Sequence, residues 1–246
     1  MVTSMSIARR LMKRVLTSVG LRGSANGQHR QLDKLEARDA YRLWAPTYVA
    51  ETAASFLDEE LASEMLHGLP RAQLLDAGCG VGRRIAHVPG AIGMDASPEM
   101  LASGGLWNVV VGDIRAMPFA SSQFEMVWCR LVLGHIADPF RAYQELIRVS
   151  RPGGYVFVTD FHPDAAAAGH RRTFTDQQGT VHEIEHYPNH DHLQLAEAVG
   201  FLVISNREGV VGPSIRSFYS NGIGVRAYKR DLGLKLITAI LLRRTV

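Results

Sequence analysis

The sequence of 246 residues predicts an α/β fold in which a parallel sheet is covered by helices. Three observations carry this expectation. Beyond Leu69, short apolar runs alternate with amphipathic stretches, as they do where strands feed crossover helices. Hydrophobic residues make up 46% of the chain and charged residues 21%, enough to bury a real core and too apolar for disorder over most of the length. One apolar strand runs straight into Gly78, Gly80 and Gly82, a turn in which the backbone can approach a ligand where no side chain would fit.

Residues 1–32 read as a basic N-terminal extension that precedes a domain over 33–246. The extension holds Arg9, Arg10, Lys13, Arg14, Arg22 and Arg30 and no acid, so the net charge of +3 leaves −3 for the remainder. Ala8, Leu11, Met12, Val15, Leu16 and Val19 recur at helical spacing opposite the basic residues. The first reading is a surface helix, with membrane contact or a targeting presequence as alternatives. No run of about 18 apolar residues occurs; the longest candidate, LGLKLITAILL, is interrupted by Lys235. Two cysteines, Cys79 and Cys129, without a CxxC pair, cannot build a disulfide scaffold and predict a reducing, cytoplasmic setting. Both are expected to pack as small apolar groups.

Strands are predicted at about 72–77, 91–95, 108–112, 124–129, 154–160, 201–207 and 234–243. Pro98 suits the first turn of one helix. Asp138-Pro139 starts another, with Phe140, Tyr143, Leu146 and Ile147 as its inward stripe, which ends before Arg151-Pro152-Gly153-Gly154. Trp107 and Trp128 are expected in the core. RTFTDQQGTVHEIEHY reads as a hairpin turning at Gly179, which puts His182, Ile184 and His186 on one face. It forms a cap inserted at about 162–192.

Three acids close three successive strands: Asp76, Asp95 and Asp113. Asp95 follows Asp76 by 19 residues, where a carboxylate can accept from both hydroxyls of a ribose, and Asp113 can accept from an exocyclic amine at the other end of a nucleoside. A dinucleotide site competes, but its third glycine would fall at Arg83, and three carboxylates do not suit a pyrophosphate. They suit a cationic nucleoside.

With LLDAGCGVG, GMDASPEML, GDIRAMPFASSQFEMV, LIRVSRPGGYVFVTD and the upstream YRLWAPTYVAE in this order, residues from about Tyr41 to Asp160 resemble a class I S-adenosylmethionine-dependent methyltransferase of the ubiquinone/menaquinone-methylase-like, small-molecule superfamily. The resemblance implies a Rossmann-like, seven-stranded, mostly parallel sheet with an antiparallel last strand, helices on both faces, and S-adenosylmethionine as cofactor. It further implies that Ala77, Gly78 and Gly80 contact the methionine part, with Asp76 among the cofactor-binding residues, that Asp95 binds the ribose, that Met94 and Ala96 flank the adenine, that Asp113 faces its amine, and that Ile114 offers its backbone N–H. Cys129 and Arg130 would offer carbonyls to the ammonium, and Tyr41, Trp44 and Tyr48 would form a lid. Two departures are visible. The stretch from Gly82 to Asp95 is about one helical turn short, which predicts a stubby first helix, and Glu125 replaces an Asp usual in the fourth strand.

The function implied is methyl transfer to a small organic molecule, on oxygen before carbon or nitrogen. A tRNA-modifying enzyme and a non-catalytic cofactor-binding regulator are the alternatives. Basic residues cluster only in the extension, so no nucleic acid is expected as partner; the chain is read as a monomer or homodimer. In-line displacement needs a base only if the acceptor is protonated, and His135 and His162, past the fourth and fifth strands, are the catalytic candidates. Arg130 could pair with a substrate carboxylate, and Asp160 could orient a histidine. Six of the ten histidines lie within 162–192; without H-E-x-x-H they read as a polar, substrate-facing cap rather than a metal site.

Overall fold

The computed structural model describes residues 32–48, 51–221 and 224–245; the amphipathic reading of the N-terminal extension lies outside them. Strands β1 (Lys34–Leu35) to β10 (Lys235–Arg244) form two sheets. In the larger, β2 (Leu74–Ala77), β3 (Ile92–Asp95), β4 (Val109–Val111), β5 (Phe124–Arg130), β6 (Ser150–Phe161), β9 (Phe201–Val210) and β10 take the order β4-β3-β2-β5-β6-β10-β9. The pairs among β2 to β6 are parallel, and β10 is antiparallel to both β6 and β9. All seven expected strands are present, with the last one antiparallel as the resemblance implied.

Strand β10 has neighbours on both edges and helices beyond both faces, so it must be apolar almost throughout; Ile237, Ala239, Ile240, Leu241 and Leu242 are buried. One face packs under α2 (Ala53–Met65), with Leu57 and Leu61 in the same apolar cluster as Phe157, Ala239 and Leu241. The other lies under α4 (Phe140–Val149) and α6 (His192–Ala198), where Tyr143 and Leu146 join Val127, Val156, Val158 and Leu242. Each such fully buried large side chain contributes roughly 1.5–3 kcal/mol. Phe140, expected on the inward stripe, is exposed instead, because it opens α4 beyond the edge of the layer it covers. Trp107 also departs from expectation. It precedes the outermost strand, β4, has no layer beyond it and is 94% exposed, whereas Trp128 on β5 is buried.

The expected stubby helix after Gly82 is absent. Ile85, Val88 and Ala91 donate to Gly82, Ile85 and Val88 in successive tight turns. A short stretch broken by Pro89-Gly90 cannot propagate a helix past its costly nucleus. Helix α3 (Pro98–Gly104) forms where Pro98 predicted it, capped by the Ser97 hydroxyl on the Met100 N–H, and ends on left-handed Gly105.

The small sheet is the cap. Strands β7 (Thr173–Thr175) and β8 (Val181–Ile184) form the expected hairpin, with Gly179 at φ +84° in its turn. Strand β1, not read from the sequence, runs parallel to β8. Helix α1 (Ala37–Trp44) packs on this sheet through Ala40 and Trp44, and Trp44 stacks on Phe174 at 5.3 Å between ring centroids. Short helix α5 (Pro163–Ala167) leads from β6 into the cap, and α7 (Arg216–Asn221) and α8 (Val225–Asp231) lie between β9 and β10. No described helix is long and apolar enough to cross a membrane.

Candidate active site

A cavity of about 780 Å³ opens where the carboxyl ends of β2 to β5 meet α1 and the cap, the crevice in which open α/β sheets bind ligands. Its floor is the glycine turn. The Gly78 and Cys79 N–H groups donate to the Met94 carbonyl at 2.7 and 2.9 Å, which ties the turn to the end of β3. A side chain at Gly78 would strike Val132, and one at Gly80 would meet the Met100 methyl at 3.1 Å, so both positions need glycine for the cradle to stay open.

Asp95 faces this cradle. Its Oδ2 accepts from the Gly80 N–H at 2.8 Å and its Oδ1 from the Ser97 N–H at 2.9 Å. An ionised carboxylate offers about four acceptor positions, so both oxygens keep capacity for a pair of ribose hydroxyls. Burial raises the Asp95 pKa against those backbone hydrogen bonds. Met94, Ala96 and Ile114 line the same wall. The loop that carries Ile114 is fixed from α4, where Glu145 accepts from the Met117 N–H and Arg148 donates to the Met117 and Phe119 carbonyls. Asp113 lies on the rim, but Arg115 grips both its oxygens, at 2.7 Å between Nη2 and Oδ2, and holds its pKa down. Accepting an adenine amine there requires Arg115 to turn away.

Tyr41, Trp44 and Tyr48 roof the cavity as the lid expectation has it, with Trp44 and Tyr48 edge to face at 4.6 Å. Three other expected ligand residues lie apart from the cavity wall. Asp76 and Ala77 sit wholly buried beneath the glycine turn, and Cys129 is buried inside β5. Neither Asp76 oxygen has a hydrogen-bond partner, and burial pushes its pKa up to about 6. A carboxylate without hydrogen bonds under the floor, only partly offset by the charges of Arg84 and Arg130, favours a cationic ligand together with Asp95 above it. The cradle and this donor set therefore fit a sulfonium nucleoside.

Arg130 is neither solvated nor free for a substrate carboxylate. It is 2% exposed and meets Asp58 of α2 at 2.8 Å and Glu59 at 2.8 Å. Asp58 also takes Arg84 at 2.9 Å and the Thr159 hydroxyl at 2.6 Å. Burial pushes the Asp58 carboxyl up, but the charges of Arg84 and Arg130 with the bonds from Arg130 and Thr159 hold it below its ordinary range. This buried cluster locks α2 to the strand ends. Sequence reasoning missed it because Asp58 and Arg130 are 72 residues apart.

The two catalytic candidates part company. His162 does not line the cavity; it caps α5, accepting the Asp164 N–H at 3.1 Å, and its other nitrogen lies 3.5 Å from Glu208. His135 lies on the cavity wall in the short turn Leu133–His135. Its Nδ1 is 2.9 Å from the Glu185 carbonyl, which only accepts, so Nδ1 carries the proton. Its Nε2 then accepts from the Tyr41 hydroxyl at 3.2 Å, and the Tyr41 oxygen in turn accepts from Arg172 at 3.3 Å. Burial, with the charge of Arg172 nearby, pushes the His135 pKa down to about 3, and burial pushes Tyr41 up to about 12. Both groups are neutral throughout the physiological range.

None of the six histidines of 162–192 lines the cavity, so the substrate-facing histidine cap is corrected: the cap side chains on the wall are Arg171, Arg172, Thr173, Glu185 and Tyr187. His182 instead pairs with Asp176 and stacks on Phe174. His186 and His192 converge on buried Asp160 at 3.3 and 3.2 Å, so Asp160 orients histidines that hold the cap down. Gly134 makes room for that contact, since a Cβ there would meet His186 and both Asp160 oxygens. Among the described residues no group of three or more His, Cys, Asp or Glu converges as a metal site.

Comparison with known proteins bears on this geometry. Residues 75–158 match the methyltransferase domain family. Over 131 residues the chain is 33% identical to a malonyl-[acyl-carrier protein] O-methyltransferase of Herminiimonas arsenicoxydans, covering 50% of this chain and 44% of that one. A protein of the same description from Dechloromonas aromatica is 29% identical over 181 residues, 70% of this chain and 67% of its own. The chain thus spans about half to two thirds of the length of these curated relatives. Among solved structures, an S-adenosylmethionine-dependent methyltransferase from Mesorhizobium loti superposes with a TM-score of 0.55 at 20% identity, over 76% of this chain and all of that one, which shows a shared fold.

Proposed function

Because the chain belongs to the class I S-adenosylmethionine-dependent methyltransferases, we propose that it transfers a methyl group to an oxygen of a small organic acceptor held between the strand ends and the cap. The observation that carries this reading is the continuity of the cavity. One space runs from the glycine cradle and Asp95, past Arg130–Val132, to His135, Tyr41 and the cap residues Arg172 and Tyr187. A cofactor on the cradle and an acceptor under the cap would share it. The names of the curated relatives support oxygen as the receiving atom.

S-adenosylmethionine, when bound, supplies a methyl group already activated by the sulfonium. What remains for this chain is to hold the acceptor in line, within about 3–3.5 Å, and to exclude water. Gly78 and Gly80 would admit the methionine portion and Asp95 would fix the ribose. Met94, Ala96 and Ile114 would enclose the base, and the aromatic lid of Tyr41, Trp44 and Tyr48 would close over it. His135, neutral and bonded at both nitrogens, positions Tyr41 rather than moving a proton.

Calorimetry on the full chain with S-adenosylmethionine and S-adenosylhomocysteine tests the cofactor step. Tritiated methyl transfer to a panel of organic acids, phenols and alcohols tests the reaction. Binding of both nucleosides with transfer to an oxygen acceptor is expected. Binding without transfer to any acceptor would leave a cofactor-binding regulator in its place.

A further inference from the structure

Arg172 is the unusual cation of this cavity. It is half-buried on the cavity wall, in the cap segment ahead of β7. Arg84 and Arg130, the other arginines drawn inside, are both ion-paired to Asp58. Arg38, Arg83, Arg115 and Arg171 stand exposed at the mouth. Arg172 meets the Tyr41 oxygen at 3.3 Å and lies over the Phe161 ring at 5.7 Å, and no carboxylate among the described residues comes within 4 Å of it. A guanidinium withdrawn from water without a counter-charge is costly, and its planar fork matches a carboxylate bidentately. Tyr41, held between His135 and Arg172, has a hydroxyl that could turn from His135 to a ligand oxygen.

We propose that Arg172 and Tyr41 form the acceptor seat and that the acceptor is a carboxylic acid, methylated on its ionised oxygen. This rests on the methyltransferase reading above and adds the acceptor's class. A lone pair of the carboxylate oxygen forms the new O–C bond to the methyl carbon while the S–C bond breaks, its electron pair staying on sulfur. The sulfonium becomes a neutral thioether and the carboxylate a neutral methyl ester. No proton is moved, so no general base is needed, in keeping with a His135 that burial and the charge of Arg172 keep neutral while its Nδ1 donates to a carbonyl and its Nε2 accepts from a phenol. The ester has lost the charge that bound the acid to Arg172, so product is held more weakly than substrate.

The test uses the full chain saturated with S-adenosylhomocysteine, titrated calorimetrically with malonate, succinate, benzoate and dimethyl malonate. At least one of the three acids is expected to bind saturably and the diester not to bind. Arg172→Gln should weaken that acid at least tenfold and Arg172→Lys should recover part of the loss, with nucleoside affinity within twofold of the parent in both. In turnover with tritiated S-adenosylmethionine, label should enter a base-labile product that releases volatile methanol. The proposal is overturned if none of the acids binds, if the diester binds as well as the acid, or if Arg172→Gln leaves acid binding unchanged. Failure of the chain to bind either nucleoside would instead sink the methyltransferase reading itself, so the two failures are distinct.

Discussion

Replacing Asp76 by asparagine isolates the charge beneath the cofactor cradle. The residue is 0% exposed and neither carboxylate oxygen is hydrogen-bonded. Burial drives its pKa from the ordinary 3.8 to about 6, Asp58 and Asp95 add to the push, and Arg84 and Arg130 oppose it. An acid whose pKa is raised on folding binds its proton more tightly in the folded state, so stability falls as pH climbs from about 4 through 6. A shift of about two units, at roughly 1.4 kcal/mol each, gives a penalty of about 3 kcal/mol, fully developed above pH 6. Asp76→Asn keeps the shape and removes the charge. At pH 7.5 and without cofactor it should therefore raise stability by up to roughly 3 kcal/mol, about 6–12 °C in Tm for a chain of this length. Nearly all of that gain should vanish by pH 4. Circular dichroism melts at pH 4, 5, 6 and 7.5 read both ends of the range. A variant that melts no higher than the parent at pH 7.5, or that gains equally at pH 4, refutes the reasoning. Saturating S-adenosylmethionine should stabilise the parent more than the variant, because only the parent keeps the negative charge that a bound cation offsets.

Asp58→Asn should act in the opposite sense. It leaves Arg130 and Arg84 withdrawn from water with one of their shared acids gone, a loss of roughly 3–5 kcal/mol at pH 7 by thermal or urea melts. The Asp58 pKa lies below its ordinary value, so its stabilisation is present above about pH 4, and the gap between variant and parent should narrow as pH falls below that. Glu59→Gln, which touches Arg130 from an exposed position, should cost under about 1 kcal/mol by the same melts. Asp95→Ala should weaken S-adenosylmethionine at least about a hundredfold by calorimetry, since two hydroxyl bonds to a charged acceptor are lost at about 1.5–3 kcal/mol each; a change within twofold would remove the ribose assignment. Gly134→Ala forces a methyl group against His186 and Asp160 and should cost about 1–3 kcal/mol, read as a lowered Tm.

The seven strands of the main sheet were legible because each is a short apolar run punctuated by turn residues, and the cradle because three glycines follow a strand directly. The hairpin cap was legible from its alternation and Gly179. Legibility failed where a residue's neighbours come from far along the chain. Trp107 reads like a core residue until β4 proves to be the outermost strand, and Arg130 reads like a free strand-end cation until α2 brings Asp58 against it. His135 and His162 looked equivalent by position, yet only one faces the cavity, because β6 carries His162 on past the sheet end to cap α5 and face Glu208 on β9.

Local pattern alone therefore determined the class of fold, the order of its elements, the glycine cradle and the acid at the end of β3, since each depends on residues within a few positions of one another. The tertiary structure decided which charges are paired and which are left open. Asp58 claims Arg84 and Arg130, Arg115 claims Asp113, Asp160 gathers His186 and His192, and Arg172 stays without an acid among the described residues. Ionic pairing depends on distance and burial in three dimensions, and neither is encoded in the spacing of residues along the chain.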